Sequence, residues 1–189
     1  MEYPQQPLDA DTEALIACIG QRAKDLYESR RMLCAEAVAV AVNRGLNGGM
    51  SDAQAVAMAA PFSFSMGESG CLCGALSGAV MVSGWLLEQA KPHHRRHRMR
   101  ELSRRLHDRF KASNGTTCCR VLSKPVRHDR KAHFRHCAEL TANTAEMAVR
   151  LMLEEIPGLA LRVNHEYLRN RQSMIGGLWW RVVHLFSPR

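Results

Sequence analysis

The sequence predicts an all-α fold, a compact multi-helix bundle with a small-residue helix at its centre. Three observations predict it. Apolar residues recur at three- and four-residue spacing, and no stretch alternates apolar with polar residues as a half-buried strand would. Aromatic residues make up only 6% of the chain, while Ala, Met and Leu are common, a balance that suits helices packed on helices. The stretch "GCLCGALSGAVMVSG" (Gly70 to Gly84) then opens a helix on two thiols and strips it of bulk. At 189 residues, 46% of them hydrophobic, the chain buries a core without crosslinks. The expected organisation is a cysteine-containing helical domain over 1–157 and a helical tail, 158–189, that packs on it or docks a partner.

The first helix is expected to start between Leu8 and Asp11, with Asp9 or Asp11 as cap, and to run to about Ser29. The second begins near Cys34, where Cys34, Ala37, Val38, Ala41 and Val42 form one apolar stripe. "NRGLNGG" ends it with glycines suited to a left-handed cap. "SDAQAVAMAA" gives a short helix capped by Ser51 or Asp52 and stopped by Pro61. The small-residue helix covers about Leu72 to Gln89, with Gly74/Gly78 and Ala75/Ala79 each one turn apart. An interior glycine costs about 1 kcal/mol against alanine, so this spacing points to close approach by a neighbouring backbone.

A basic helix over Lys91 to Lys111 follows, then a turn at Asn114-Gly115 and a short helical start at "CCRVL". "SKPVRHDRKAH" reads as an exposed loop, placing Cys137 near the start of the last long helix. That helix carries Cys137, Leu140, Thr144, Ala148 and Leu151 on one side and stops at Pro157-Gly158. Trp179 and Trp180 belong to a short apolar tail expected to close the bundle or dock a partner.

The opening residues show neither a basic nor an apolar signal region, and no run approaches the ~20 apolar residues of a membrane span. A cytoplasmic, reducing setting is the expectation, in which seven cysteines serve as metal ligands, redox thiols or buried small hydrophobes rather than structural disulfides. The formal net charge of +8 is concentrated at residues 91–111. That stretch is a solvated face or a docking face for an acidic partner or anionic surface, through Arg95, Arg96 and Arg98. Nucleic acid is disfavoured because no aromatics interleave the arginines. His93 and His97 have the spacing of an adventitious metal pair, and His128 and His133 fall in the basic loop. His136 adjoins Cys137, where it is expected to be solvent-exposed, with an alternative ligand or a proton carrier as the other reading.

Cys34, Cys73, Cys119 and Cys137 each sit at or near an expected helix start, where the helix dipole favours thiolate. A single such cysteine is most simply packing; four in matching positions point to a shared redox or metal site. No Cys-x-x-Cys pair occurs, so zinc-finger and ferredoxin spacings are absent. Cys71 and Cys118 are secondary thiols, and the adjacent Cys118-Cys119 pair cannot readily place both sulfurs on one metal.

The pieces "LCAEAV" at Cys34, "CGALSGAVMVSG" at Cys73, "CCRVL" at Cys119 and "HCAELTANTAEMAVRLML" at Cys137 resemble, in this order, the C_GCAxxG_C_C redox-protein family over about residues 30 to 155. The resemblance implies an all-α domain with a cysteine-based redox or iron–sulfur role. Related domains accompany haem in split-Soret cytochromes, but this chain lacks the Cys-x-x-Cys-His of covalent haem attachment. Where the family carries a Phe-Gly-Gly-Gly-like run, the chain reads "PFSFSMGESG", with only Gly67 and Gly70 left.

The leading expectation is an electron-transfer protein with an iron–sulfur cluster on Cys34, Cys73, Cys119 and Cys137, served by a redox protein partner. Beside it stand a metal-free thiol–disulfide protein or sensor using Cys71, Cys73, Cys118 and Cys119, and a basic binding module whose cysteines are structural or hold zinc. Whether the chain is an enzyme, and its oligomeric state, a homo-oligomer included, are left open. No paired catalytic carboxylates, Ser/His/Asp order or phosphate-binding loop is present to suggest a hydrolase or nucleotide enzyme.

Overall fold

The computed structural model describes residues 9–90 and 96–169. Among them there is no strand, and the all-α expectation holds. Helix α1 (Ala10–Glu28) starts where Asp9 accepts a hydrogen bond from the Thr12 amide at 2.9 Å, and its Ile16, Ile19, Ala23 and Leu26 form the buried stripe. Helix α2 (Cys34–Gly45) is alanine- and valine-rich, and every residue from Ala37 to Asn43 is buried. It lies between α1, α5 (Gly74–Ala90) and α8 (Arg130–Glu155), so the centre of the bundle is shared by α2 and the expected small-residue helix α5. Past α2 the first left-handed residue is Asn47 (φ 46°) rather than a glycine; Gly49 (φ 80°) follows. Asn43, buried in this corner, donates to the Met50 carbonyl at 2.8 Å, while Trp85 and Gln89 of α5 both donate to the Gly48 carbonyl.

Helix α3 (Asp52–Ala59) has the expected Ser51 cap, with Gln54 reaching back to the Ser51 amide at 2.9 Å. A 3₁₀ turn, Ala60–Phe62, contains Pro61. The next element, α4 (Ser63–Glu68), is a left-handed turn: Phe64, Ser65, Met66 and Gly67 all have φ between 50° and 65°. Helix α6 (Arg96–Asn114) buries only Leu102, Leu106 and Phe110, as a basic amphipathic helix should. A one-turn helix, α7 (Cys119–Ser123), leads to α8, which begins at Arg130 with Asp129 as cap. The end of the stretch expected as a loop, Arg130 to His133, is therefore already helical, while residues 124–128 form turns. Its charge is that of an exposed first turn, and Asp129, accepting from the Lys131 and Ala132 amides, is the start signal.

After Pro157 a 3₁₀ turn (Pro157–Arg162) and a last short helix, α9 (His165–Arg169), fold back on α1 and α2. Asn164 donates its amide to the Gly45 carbonyl at 2.9 Å, and the buried Arg22 donates to the Leu168 carbonyl at 2.6 Å. Residues 170–189, with Trp179 and Trp180, lie outside the described residues, as do His93, His94 and Arg95. No described helix is long and apolar enough to cross a membrane.

The glycines of α5 act as their spacing predicts. A Cβ on Gly78 would lie 2.4 Å from the Ala35 carbonyl oxygen, and one on Gly74 would lie 2.6 Å from the Cys34 sulfur. Both positions face α2, so the missing side chains set the α2–α5 approach and leave room for a thiol between the helices.

Candidate functional site

Four elements bring four cysteines to one place. Cys34 is the first residue of α2, Cys73 immediately precedes α5, Cys119 is the first residue of α7, and Cys137 lies two turns inside α8. All four border a single cavity of about 30 Å³, walled otherwise by Gly74, Ala75, Leu122, Leu140 and their neighbours. The α5 and α7 starts are stitched together by backbone: the Cys73 amide donates to the Thr117 carbonyl at 2.8 Å and the Arg120 amide to the Gly70 carbonyl at 3.3 Å. All seven cysteines are free thiols.

The remaining cysteines stand apart from the cavity. Cys71 is exposed, Cys118 directs its sulfur to the Gly70 carbonyl at 3.1 Å, and Cys18 is near the Leu168 carbonyl. Cys118 and Cys119 thus point to different surroundings despite being adjacent in sequence.

At three of the four cysteines burial works against the expected thiolate. It pushes the Cys73 thiol up to about 12 and Cys137 up to about 11, and raises Cys34; neighbouring thiolate charge, from Cys34 and Cys119, pushes the same way for Cys73 and Cys137. The amides of Phe64 and Ala35 donate to the Cys34 sulfur and pull it down, but desolvation wins. Cys137, inside its helix rather than at its end, gains nothing from the dipole.

Two residues at the site are not evident from the cysteine pattern. Tyr27, at the end of α1, hydrogen-bonds through its hydroxyl to Cys137, and its ring stacks on Phe134 with centroids 5.0 Å apart. His136 borders the cavity and its Nε2 is buried with no hydrogen-bond partner, contrary to the exposure expected for it. Its signal was its place beside Cys137; Tyr27 had none. Ser63 and Ser65 of the left-handed turn also have buried hydroxyls without partners.

No group of three His, Cys, Asp or Glu side chains among the described residues is arranged to hold a single metal ion as it stands. The four thiols are instead spread around the cavity, an apolar space bordered by soft donors and by an orphaned imidazole nitrogen. Sulfur donors of this kind are ligands of zinc and of iron–sulfur centres alike, and the space between them, about 30 Å³, is of the order of one or two water molecules.

The left-handed turn falls in the segment "PFSFSMGESG", whose glycines are Gly67 and Gly70. Three consecutive non-glycine residues with φ from 50° to 56° carry a steric cost of about 1–2 kcal/mol each. Met66 is half-exposed and gives up little packing. Met66→Gly is accordingly expected to stabilise the protein by about 1 kcal/mol, read as a higher denaturant midpoint at unchanged m-value.

The basic helix is partly engaged within the molecule. Arg98 pairs with Glu155 at 3.3 Å, Arg105 with Glu154 at 2.7 Å and Arg109 with Glu154 at 2.8 Å, all at the end of α8. Arg96 is exposed in the first turn of α6.

A family model described as "Putative redox-active protein (C_GCAxxG_C_C)" matches residues 32–151, which contain all four cavity cysteines. No curated protein and no solved structure matches the chain.

Proposed function

The chain belongs to the C_GCAxxG_C_C family, and on that premise we propose that it transfers electrons through an iron–sulfur cluster held by the thiolates of Cys34, Cys73, Cys119 and Cys137. The observation that carries this reading is the meeting of those four cysteines, from four separate elements, on one buried cavity. Bound there, such a cluster would supply one-electron oxidation and reduction.

The chain's own groups have definite parts. Four soft sulfur donors select iron–sulfur or zinc over hard cations, and a cation offsets the burial and charge repulsion that raise Cys34, Cys73 and Cys137. The Phe64 amide and the Tyr27 hydroxyl donate to ligand sulfurs, a contact that raises a cluster's potential by stabilising its more negative state. Leu122, Leu140 and Ala75 exclude water. His136 borders the same cavity with an unpartnered Nε2, a further nitrogen donor next to Cys137 in the chain. An acidic redox partner remains a fitting complement to the exposed arginines of α6.

The test is anaerobic purification without a metal-binding tag. The expected product is coloured, contains iron and acid-labile sulfide together, and bleaches on reduction. A colourless, iron-free protein that fails reconstitution overturns the proposal. Zinc in its place would favour structural cysteines, and a reversible disulfide would favour direct thiol chemistry.

A further inference from the structure

A second concavity, on the outer side of Tyr27, is built differently from the cysteine cavity. It is a groove of about 660 Å³, within the ~300–1,000 Å³ range of small-molecule sites. Its apolar lining comes from Tyr27, Met32, Leu33, Phe64 and Phe134. Its charged lining comes from Arg30, Arg130, Lys131 and Arg135, with His133 beside them, and no carboxylate lines it. Tyr27 and Phe134 are stacked, and the Arg30 guanidinium lies 5.1 Å from the Phe134 ring centre, which extends the flat surface. Phe64 adds a further ring and is 55% exposed, held out by the left-handed turn.

The charges are available. Among the described residues none of Arg30, Arg130, Lys131 and Arg135 forms an ion pair with an acidic side chain, and all four are exposed. The nearby Asp129 carboxylate caps α8 through two amides and feels Arg135. A core of aromatic and aliphatic faces rimmed by unpaired cations recognises one chemistry: a flat ring that carries an anionic group.

We infer that this groove binds a small molecule in which a planar aromatic ring bears a phosphate, a ligand of the mononucleotide class. The ring lies on the apolar lining and the phosphate meets the Arg130–Lys131 side of the rim. Concavity favours a small ligand over an acidic protein, whose docking face would be flatter. Tyr27 is a wall of this groove and hydrogen-bonds to Cys137, so a bound ring sits one side chain from the cysteine site. The inference stands apart from what the cysteines hold.

The test is titration of the full chain with flavin mononucleotide and with adenosine monophosphate, following flavin fluorescence and heat. Riboflavin supplies the ring without the phosphate, and inorganic phosphate the anion without the ring. The expected result is saturable binding of at least one mononucleotide, with riboflavin and phosphate each weaker by about tenfold or more. Arg130→Glu with Lys131→Glu, at two exposed positions, is expected to weaken mononucleotide binding by about tenfold or more, as is Phe64→Ala. No binding of either mononucleotide, equal binding of riboflavin or phosphate, or indifference to both variants overturns the inference. Binding of an acidic polypeptide such as polyglutamate in place of both mononucleotides also overturns it. Iron and sulfide are measured on the same samples, so loss of the cluster and loss of nucleotide binding are read separately.

Discussion

Gly78→Ala is expected to destabilise the protein by about 3 kcal/mol, although alanine is the better helix former by about 1 kcal/mol. The added methyl would fall 2.4 Å from the Ala35 carbonyl oxygen and 2.9 Å from the Ala35 Cα. Both are main-chain atoms of α2, and α2 is enclosed by α1, α5 and α8 and has nowhere to retreat. Overpacking against backbone is therefore relieved only by separating the two central helices. The corresponding fall in Tm is about 6–12 °C for a chain of this size. Gly158→Ala is the control: a Cβ there meets nothing within 4 Å, and its stability should change little. Stabilisation by Gly78→Ala would mean that α2 and α5 are not packed as described.

The other large effect concerns the thiols in metal-free protein. At pH 8 an ordinary thiol, with its value near 9, is about one-tenth ionised, whereas Cys73, pushed up to about 12 by burial, is ionised about a thousandfold less. Alkylation proceeds through the thiolate. Native-state labelling followed by peptide mass analysis should find the exposed Cys71 modified first, with Cys73 slower by about a hundredfold or more. The sign extends to folding. Thiols with raised values hold their protons more tightly folded than unfolded, so they favour the fold below about pH 9, and that contribution is lost as pH rises towards about 12. Equal labelling of Cys71 and Cys73 would contradict the buried site.

The parts of this arrangement differ in how openly the sequence carries them. Asp9, Ser51 and Pro61 punctuate the chain locally, so α1 and α3 are read at their observed places. The glycine spacing of α5 announced a close neighbour, though not that α2 would be it. The four cavity cysteines were legible as a set because each sits at or near an expected helix start, three of them followed by small or apolar residues.

Other parts depend on the folded whole. The left-handed turn at Phe64–Gly67 runs against the local preference of three of its residues, so only packing around it selects that conformation. The start of α8 was hidden because its first two turns, from Arg130 to His136, carry the charge of a loop. The helix-dipole argument erred in weight: a dipole acts within one turn, while burial raises Cys34, Cys73 and Cys137.

The measurement that bears most directly on the shared site is iron and acid-labile sulfide in a panel of seven Cys→Ser variants, each purified anaerobically beside the parent chain. The account predicts that Cys34→Ser, Cys73→Ser, Cys119→Ser and Cys137→Ser lose the cluster, while Cys18→Ser, Cys71→Ser and Cys118→Ser keep it. Retention in any two of the first four, or loss in the exposed Cys71→Ser, would contradict it.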